Sequence, residues 1–123
     1  MEPRIIATSI AAGRLAIGLT LMAAPAAVAR HWVGPDGDRV GAKTLASGLG
    51  VRDFVLGVGV LSALREGEGV RQWLIASAVA DLGDLLFTLR ERDGLPGSSV
   101  AGTAALAGGS AVAGAWLAAQ GDW

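Results

Sequence analysis

The chain has no cysteine and no tyrosine, a single histidine and only two phenylalanines. Without thiols it can form neither disulfides nor iron–sulfur clusters, and one imidazole alone cannot assemble a Cys/His zinc site; no metal site is expected. Charge is scarce too: 17% of residues are Asp, Glu, Lys or Arg, against roughly 25% in an average soluble domain. Ten Lys and Arg stand against eleven Asp and Glu, a net charge of -1, so no basic field exists to hold nucleic acid. Gly48 and Gly50 lack the third glycine and the preceding strand of a nucleotide loop, and no Ser-His-Asp arrangement or His-rich helix is present. No cofactor is implied by any motif.

What is present is apolar length built from small residues. Of 123 residues 52% are hydrophobic and 19 are glycine, a texture suited to close helix contacts within a single domain. From Gly94 to Gly121 there is no charged residue, longer than the ~20 residues needed to cross a bilayer's hydrocarbon region. Three other segments have the same length and texture but carry charge near their centres: one by Arg14, one by Arg52 and Asp53, one by Asp81 and Asp84. The spans are therefore set at about 5–27, 42–64, 70–89 and 98–119. Pro25 and Gly34-Pro35-Asp36-Gly37-Asp38, then Arg65-Glu66-Gly67-Glu68-Gly69, then Arg90 to Gly97 supply the connections. Trp32, Trp73, Trp116 and Trp123 fall near span ends, at headgroup level. A soluble bundle would need a polar face on each helix, and Phe54-Val55-Leu56-Gly57-Val58-Gly59-Val60-Leu61 offers none. Arg14 also interrupts the apolar region a signal peptide requires, so the first span is structure. The fold class is all-α, an antiparallel four-helix transmembrane bundle whose first partner is the lipid bilayer.

The charges inside the spans are the informative feature. At ~1.5 Å per residue, Arg14, Arg52, Asp53 and Asp81 fall within about 3 Å of the bilayer midplane and Asp84 within about 6 Å. Each such group opposes insertion by roughly 2.5 to 3.5 kcal/mol unless paired, so the five are expected to meet inside the bundle as an ion-pair network. Ser77, Asp81, Asp84 and Thr88 recur at helical spacing on one face of the third span. Arg52 and Asp53 are adjacent, about 100° apart, so one faces the third span and the other the first. Arg14 shares a face with Ala7, Ala11 and Gly18, small residues that admit a neighbouring backbone. The fourth span brings Gly102, Gly108, Gly109 and Gly114 as a close-packing wall and a surface for homo-oligomer formation, with the hydroxyls of Thr103 and Ser110. His31, beside Arg30 and Trp32 at the end of the first span, reads as a solvated interfacial residue.

Gly13-Arg14 with Gly18 in the first span, Gly50-Val51-Arg52-Asp53 with Gly57 in the second and an Asp in the third resemble the small DoxX-like and related bacterial four-helix membrane proteins, over most of the chain. The resemblance implies the bacterial plasma membrane, and some relatives resemble subunits of quinone-linked oxidoreductases. Other four-helix membrane proteins of this size look like cofactor-free oxygenases or cyclases; the histidines expected of the oxygenase type are missing here. Arg30, Arg39, Lys43, Arg90 and Arg92 flank the first and third connections against Arg4, Arg65 and Arg71 on the other side, which puts both termini outside.

Three function classes follow. Two Arg neutralise two Asp, and a third carboxyl in a dry layer must hold a proton or await a cation. A membrane enzyme of isomerase or cyclase type would use Asp81 and Asp84 as acid and base on a lipophilic small molecule, with Arg14, Arg52, Asp53 and Ser77 binding it. The two carboxyls of the third span are expected to share one proton. A small proton- or cation-coupled transporter would use the same groups as an ion site, and a structural subunit would use them only to fix helix register. A cavity opening sideways to lipid separates the first from the second.

Overall fold

The computed structural model describes residues 2–120 and 123. Among these residues six α-helices follow one another: α1 (Pro3–Ala23), α2 (Pro25–Val33), α3 (Val40–Glu66), α4 (Val70–Arg90), α5 (Gly97–Thr103) and α6 (Gly109–Ala119). A π-helical stretch, Ala104–Gly108, joins the last two into one continuous rod, and single 3-10 turns occupy Gly34–Asp38 and Arg92–Gly94. No strand occurs among the described residues. Among the described residues four helical rods, Pro3–Ala23, Val40–Glu66, Val70–Arg90 and Gly97–Ala119, are long and apolar enough to cross a membrane. The chain is an all-α bundle of the multi-pass membrane type. Its outward faces agree: Leu45 and Val112 are each 72% exposed, which water would penalise and lipid does not.

The first span is shorter than its apolar run. Pro25 has no N–H to continue the helix and pushes the residue before it out of the α region, and Ala24 accordingly sits at φ -137°, ψ 61°. Pro25 then serves as the first residue of α2, where a missing N–H costs nothing. Residues 25–27 thus belong to a separate nine-residue helix that crosses one end of the bundle, with Ala29 buried. At the opposite end, α3 stops at Gly67 in the left-handed region, φ 78°, and its N–H donates to the Ala63 carbonyl at 2.8 Å. A second left-handed residue, Gly69 at φ 75°, opens α4, so the chain reverses within a few residues.

Packing follows the small residues. α1 lies along α3, and a Cβ added to Gly18 would stand 2.6 Å from the Gly50 carbonyl oxygen and 2.8 Å from the Phe54 nitrogen. Ala7, Ala11, Arg14 and Gly18 form the buried face of α1. α4 packs on α6, where Gly114 meets Ala78. Gly102 and Gly109 have open space where a side chain would be, so Gly114 is the glycine of the fourth span in closest contact.

Two apolar regions sit at opposite ends. The larger joins Ala7 and Ala11 of α1 to Val60, Val70, Leu74 and Leu117 near the chain termini. The smaller is Leu21, Ala29 and Ala46 beneath α2. Trp32 and Trp123 donate to Thr88 Oγ1 at 3.2 Å and the Leu117 carbonyl at 2.9 Å, while Trp73 lies against Gly59. Besides lying near span ends, these three rings hold elements together.

Candidate functional site

Between the two apolar regions lies the charged layer. Arg14 of α1, Arg52 and Asp53 of α3, and Asp81 and Asp84 of α4 form one unbroken chain of ion pairs. Arg14 donates through Nη1 to Asp53 Oδ1 at 2.9 Å and through Nη2 to Asp81 Oδ2. Arg52 donates from Nη2 to the same Asp53 oxygen at 3.2 Å. It also grips Asp84 in a two-pronged contact, Nη1 to Oδ1 at 2.9 Å and Nη2 to Oδ2 at 2.6 Å. The order is Asp81, Arg14, Asp53, Arg52, Asp84, with charge alternating at every step.

Helical geometry explains which group pairs with which. Adjacent residues on α3 diverge by about 100°, and Arg52 reaches α4 while Asp53 reaches α1. On α4, Asp81 and Asp84 share a face, but α1 and α3 each present one guanidinium to it, so each carboxylate takes its own arginine. The expected sharing of a proton between Asp81 and Asp84 therefore does not occur as a direct carboxyl contact; the carboxylate held between two guanidinia is Asp53. Burial is graded along the chain, from 7% side-chain exposure at Arg14 and 8% at Asp81 to 31% at Arg52 and 20% at Asp84.

The layer forms part of the wall of a cavity of about 600 Å³, within the usual range for small-molecule sites. Arg14, Arg52, Asp53, Asp81 and Asp84 all line it. From there it runs toward α2, past Leu21, Leu49 and Val28 to His31 and Trp32. Its fourth wall is the rod from Ser98 to Ser110, including Thr103 and the π-helical residues Leu106 and Ala107. Such wide turns are frequent at functional sites. Ser99 Oγ donates to the Trp32 carbonyl, which ties α2 to α5 across the closed end. The first and fourth spans meet chiefly near the termini, through α6. Nearer α2 they separate, and the flanking Ile17 and Leu106 are 46% and 67% exposed. The cavity is thus bordered by exposed residues of both α1 and the fourth span on the flank of the bundle where the two separate.

Ser77, expected to bind ligand, does not line this cavity. It sits one turn from Asp81 on the side toward the termini, where α6 closes over Leu74 and Ala78; it is buried, and its hydroxyl has no hydrogen-bond partner among the described residues. Arg14, Arg52, Asp53, Asp81 and Asp84 are brought together as expected from their common depth. His31 is exposed yet also borders the cavity. Trp32, Leu49, Ser98 and Ser99 were not legible as lining residues. Of these only Trp32 has a signal, the run Pro25 to Trp32, which reads as an amphipathic helix once Pro25 is taken as a start rather than a stop.

Asp84, expected as one of an acid–base pair, has both oxygens held by Arg52. Among the described residues, Asp53 Oδ2 and Asp81 Oδ1 accept no hydrogen bond, although each residue is more than nine-tenths buried and lines the cavity. No group of three His, Asp or Glu among the described residues is placed to hold a metal ion. No protein-family model, curated protein or solved structure matches the chain.

Proposed function

We propose that this chain binds a lipophilic small molecule taken from the bilayer and acts on it by cofactor-free acid–base chemistry, in the manner of an isomerase or cyclase. The observation that carries this reading is a cavity walled in part by ionised groups and bordered by exposed residues of α1 and the fourth span. A molecule diffusing in the hydrocarbon region reaches it between Ile17 and Leu106 without crossing a headgroup layer. Three carboxylates against two guanidinia make the layer a proton acceptor in a low-dielectric site. Asp81 serves as the base through its open oxygen and returns the same proton to the substrate as the acid, while Asp53, held by both guanidinia, positions the layer beside it. Arg14 and Arg52 hold these carboxylates through their terminal nitrogens and so position them.

Transport fits less well, because the end near the termini is filled by Val70, Leu74 and Leu117, each at most 3% exposed. A separate cavity of about 390 Å³ at that end, lined by Val58, Gly59, Glu66 and Trp73 among others, shares no lining residue with the one on the charged layer. The complete alternation of charge favours a structural role as a second reading, and the bacterial plasma membrane with both termini outside is part of the first. Photolabelling in nanodiscs with a long-chain diazirine alcohol tests the proposal. Adducts should concentrate on residues 13–17 and 102–110 and decline when Leu106→Trp narrows the opening. Adducts confined to outward residues such as Leu45 and Val79 would leave the structural role in possession.

A further inference from the structure

The charged layer is unbalanced in charge, three carboxylates against two guanidinia. On the donor side, Arg14 uses both terminal nitrogens on Asp53 and Asp81, and Arg52 uses both of its own on Asp53 and Asp84. The Nε of Arg52 is buried and has no partner among the described residues, so nothing in the cavity reaches it. On the acceptor side, Asp53 Oδ2 and Asp81 Oδ1 remain open, and a carboxylate oxygen carries two lone pairs. With all five groups ionised the layer bears one surplus negative charge. A cationic donor meets these open oxygens without disturbing either arginine and offsets the surplus charge, whereas an anionic head would add to it.

From this we infer that the cavity's ligand is a lipophilic ammonium: a single protonated amine seated on Asp53 Oδ2 and Asp81 Oδ1, with its apolar body along Leu21, Val28, Leu49 and Leu106. The inference rests on the lipophilic-pocket reading above and adds the chemistry of the head. A metal cation is a poor fit, because the carboxylates are spread along a chain of ion pairs rather than converging on a point. Length agrees. From Ser110, near the charged layer, to Ser99 beneath α2 the fourth wall rises roughly 16 Å at ~1.5 Å per residue, room for a medium-length alkyl chain whose far end stops under Trp32.

Radiolabelled decylamine provides the test, bound to the full-length protein in phosphatidylcholine nanodiscs at neutral pH with empty nanodiscs subtracted, and decanol and decanoate as competitors. Decylamine should bind at least tenfold more tightly than decanol, and decanoate more weakly still. Asp53→Asn leaves two arginines facing two aspartates, so it should reduce the amine-over-alcohol preference at least fivefold. Equal affinity for all three heads, or a preference for decanoate, would overturn the ammonium assignment and leave the lipophilic pocket standing. Absence of saturable binding by any of the three would overturn the pocket itself. Should Asp53→Asn fail to fold, the preference measured on the unaltered protein decides the matter alone.

Discussion

Replacing Arg14 by Gln should cost far more stability than replacing either aspartate it holds. Arg14 is 7% exposed and bonds two carboxylates on two different helices. Its loss changes the layer from one surplus negative charge to two and leaves Asp81 with no ion-pair partner among the described residues. Breaking a buried pair by removing one member typically costs about 3–5 kcal/mol, a large share of the roughly 5–15 kcal/mol that holds a typical protein folded. Asp81→Asn acts in the opposite sense. Its amide oxygen still accepts from Arg14, and two positive charges then face two negative ones. Some hydrogen-bond strength is lost, since bonds to charged groups contribute about 1 kcal/mol more than neutral ones, but the surplus charge goes with it, and the net loss should stay below about 1 kcal/mol. The double variant Arg14→Gln with Asp81→Asn should recover roughly 1–3 kcal/mol over Arg14→Gln alone, a coupling that distant sites do not show. Unfolding in mixed micelles with rising sodium dodecyl sulfate, followed by tryptophan fluorescence, measures all three. If Arg14→Gln proves no more costly than Asp81→Asn, or the double variant is simply additive, the alternating chain of pairs is not what balances charge in this layer.

The contact between α1 and α3 gives a second expectation: Gly18→Val should cost at least about 2 kcal/mol, because the added carbons meet backbone atoms that cannot yield without separating the helices. Gly13→Ala, with nothing within 4 Å of the new Cβ, should be neutral or slightly stabilising through helix propensity; the same unfolding titration compares them, and equal losses would refute the close approach. The absence of cysteine makes orientation directly testable with single cysteines and a membrane-impermeant maleimide on intact cells. Glu68→Cys in the connection between α3 and α4 should label at once and Asp36→Cys only after lysis, and the reverse pattern would place the termini in the cytoplasm.

Four apolar runs and the common depth of five charges were readable from the chain alone, because both depend only on the rise of a helix and the thickness of a bilayer. The α1–α3 contact was also foreshadowed, since Ala7, Ala11 and Gly18 recur on one helical face. What the linear order could not decide was partnership. Asp81 and Asp84 lie three residues apart and read as a pair, yet which arginine each meets depends on where α1 and α3 stand against α4, and that is settled by backbone contacts at Gly18 and Gly50. The separation of α2 at Pro25 turned the last residues of an apparent span into a cap. The cavity itself has no sequence signature at all: it is the space left where the fourth span meets α1 near the termini and parts from it near α2. Ser77 shows the same limit from the other side, for its spacing puts it on the polar stripe while the packing of α6 on α4 seals it away. Depth along a helix is a property of sequence; what fills or leaves open the space between helices is a property of how they pack.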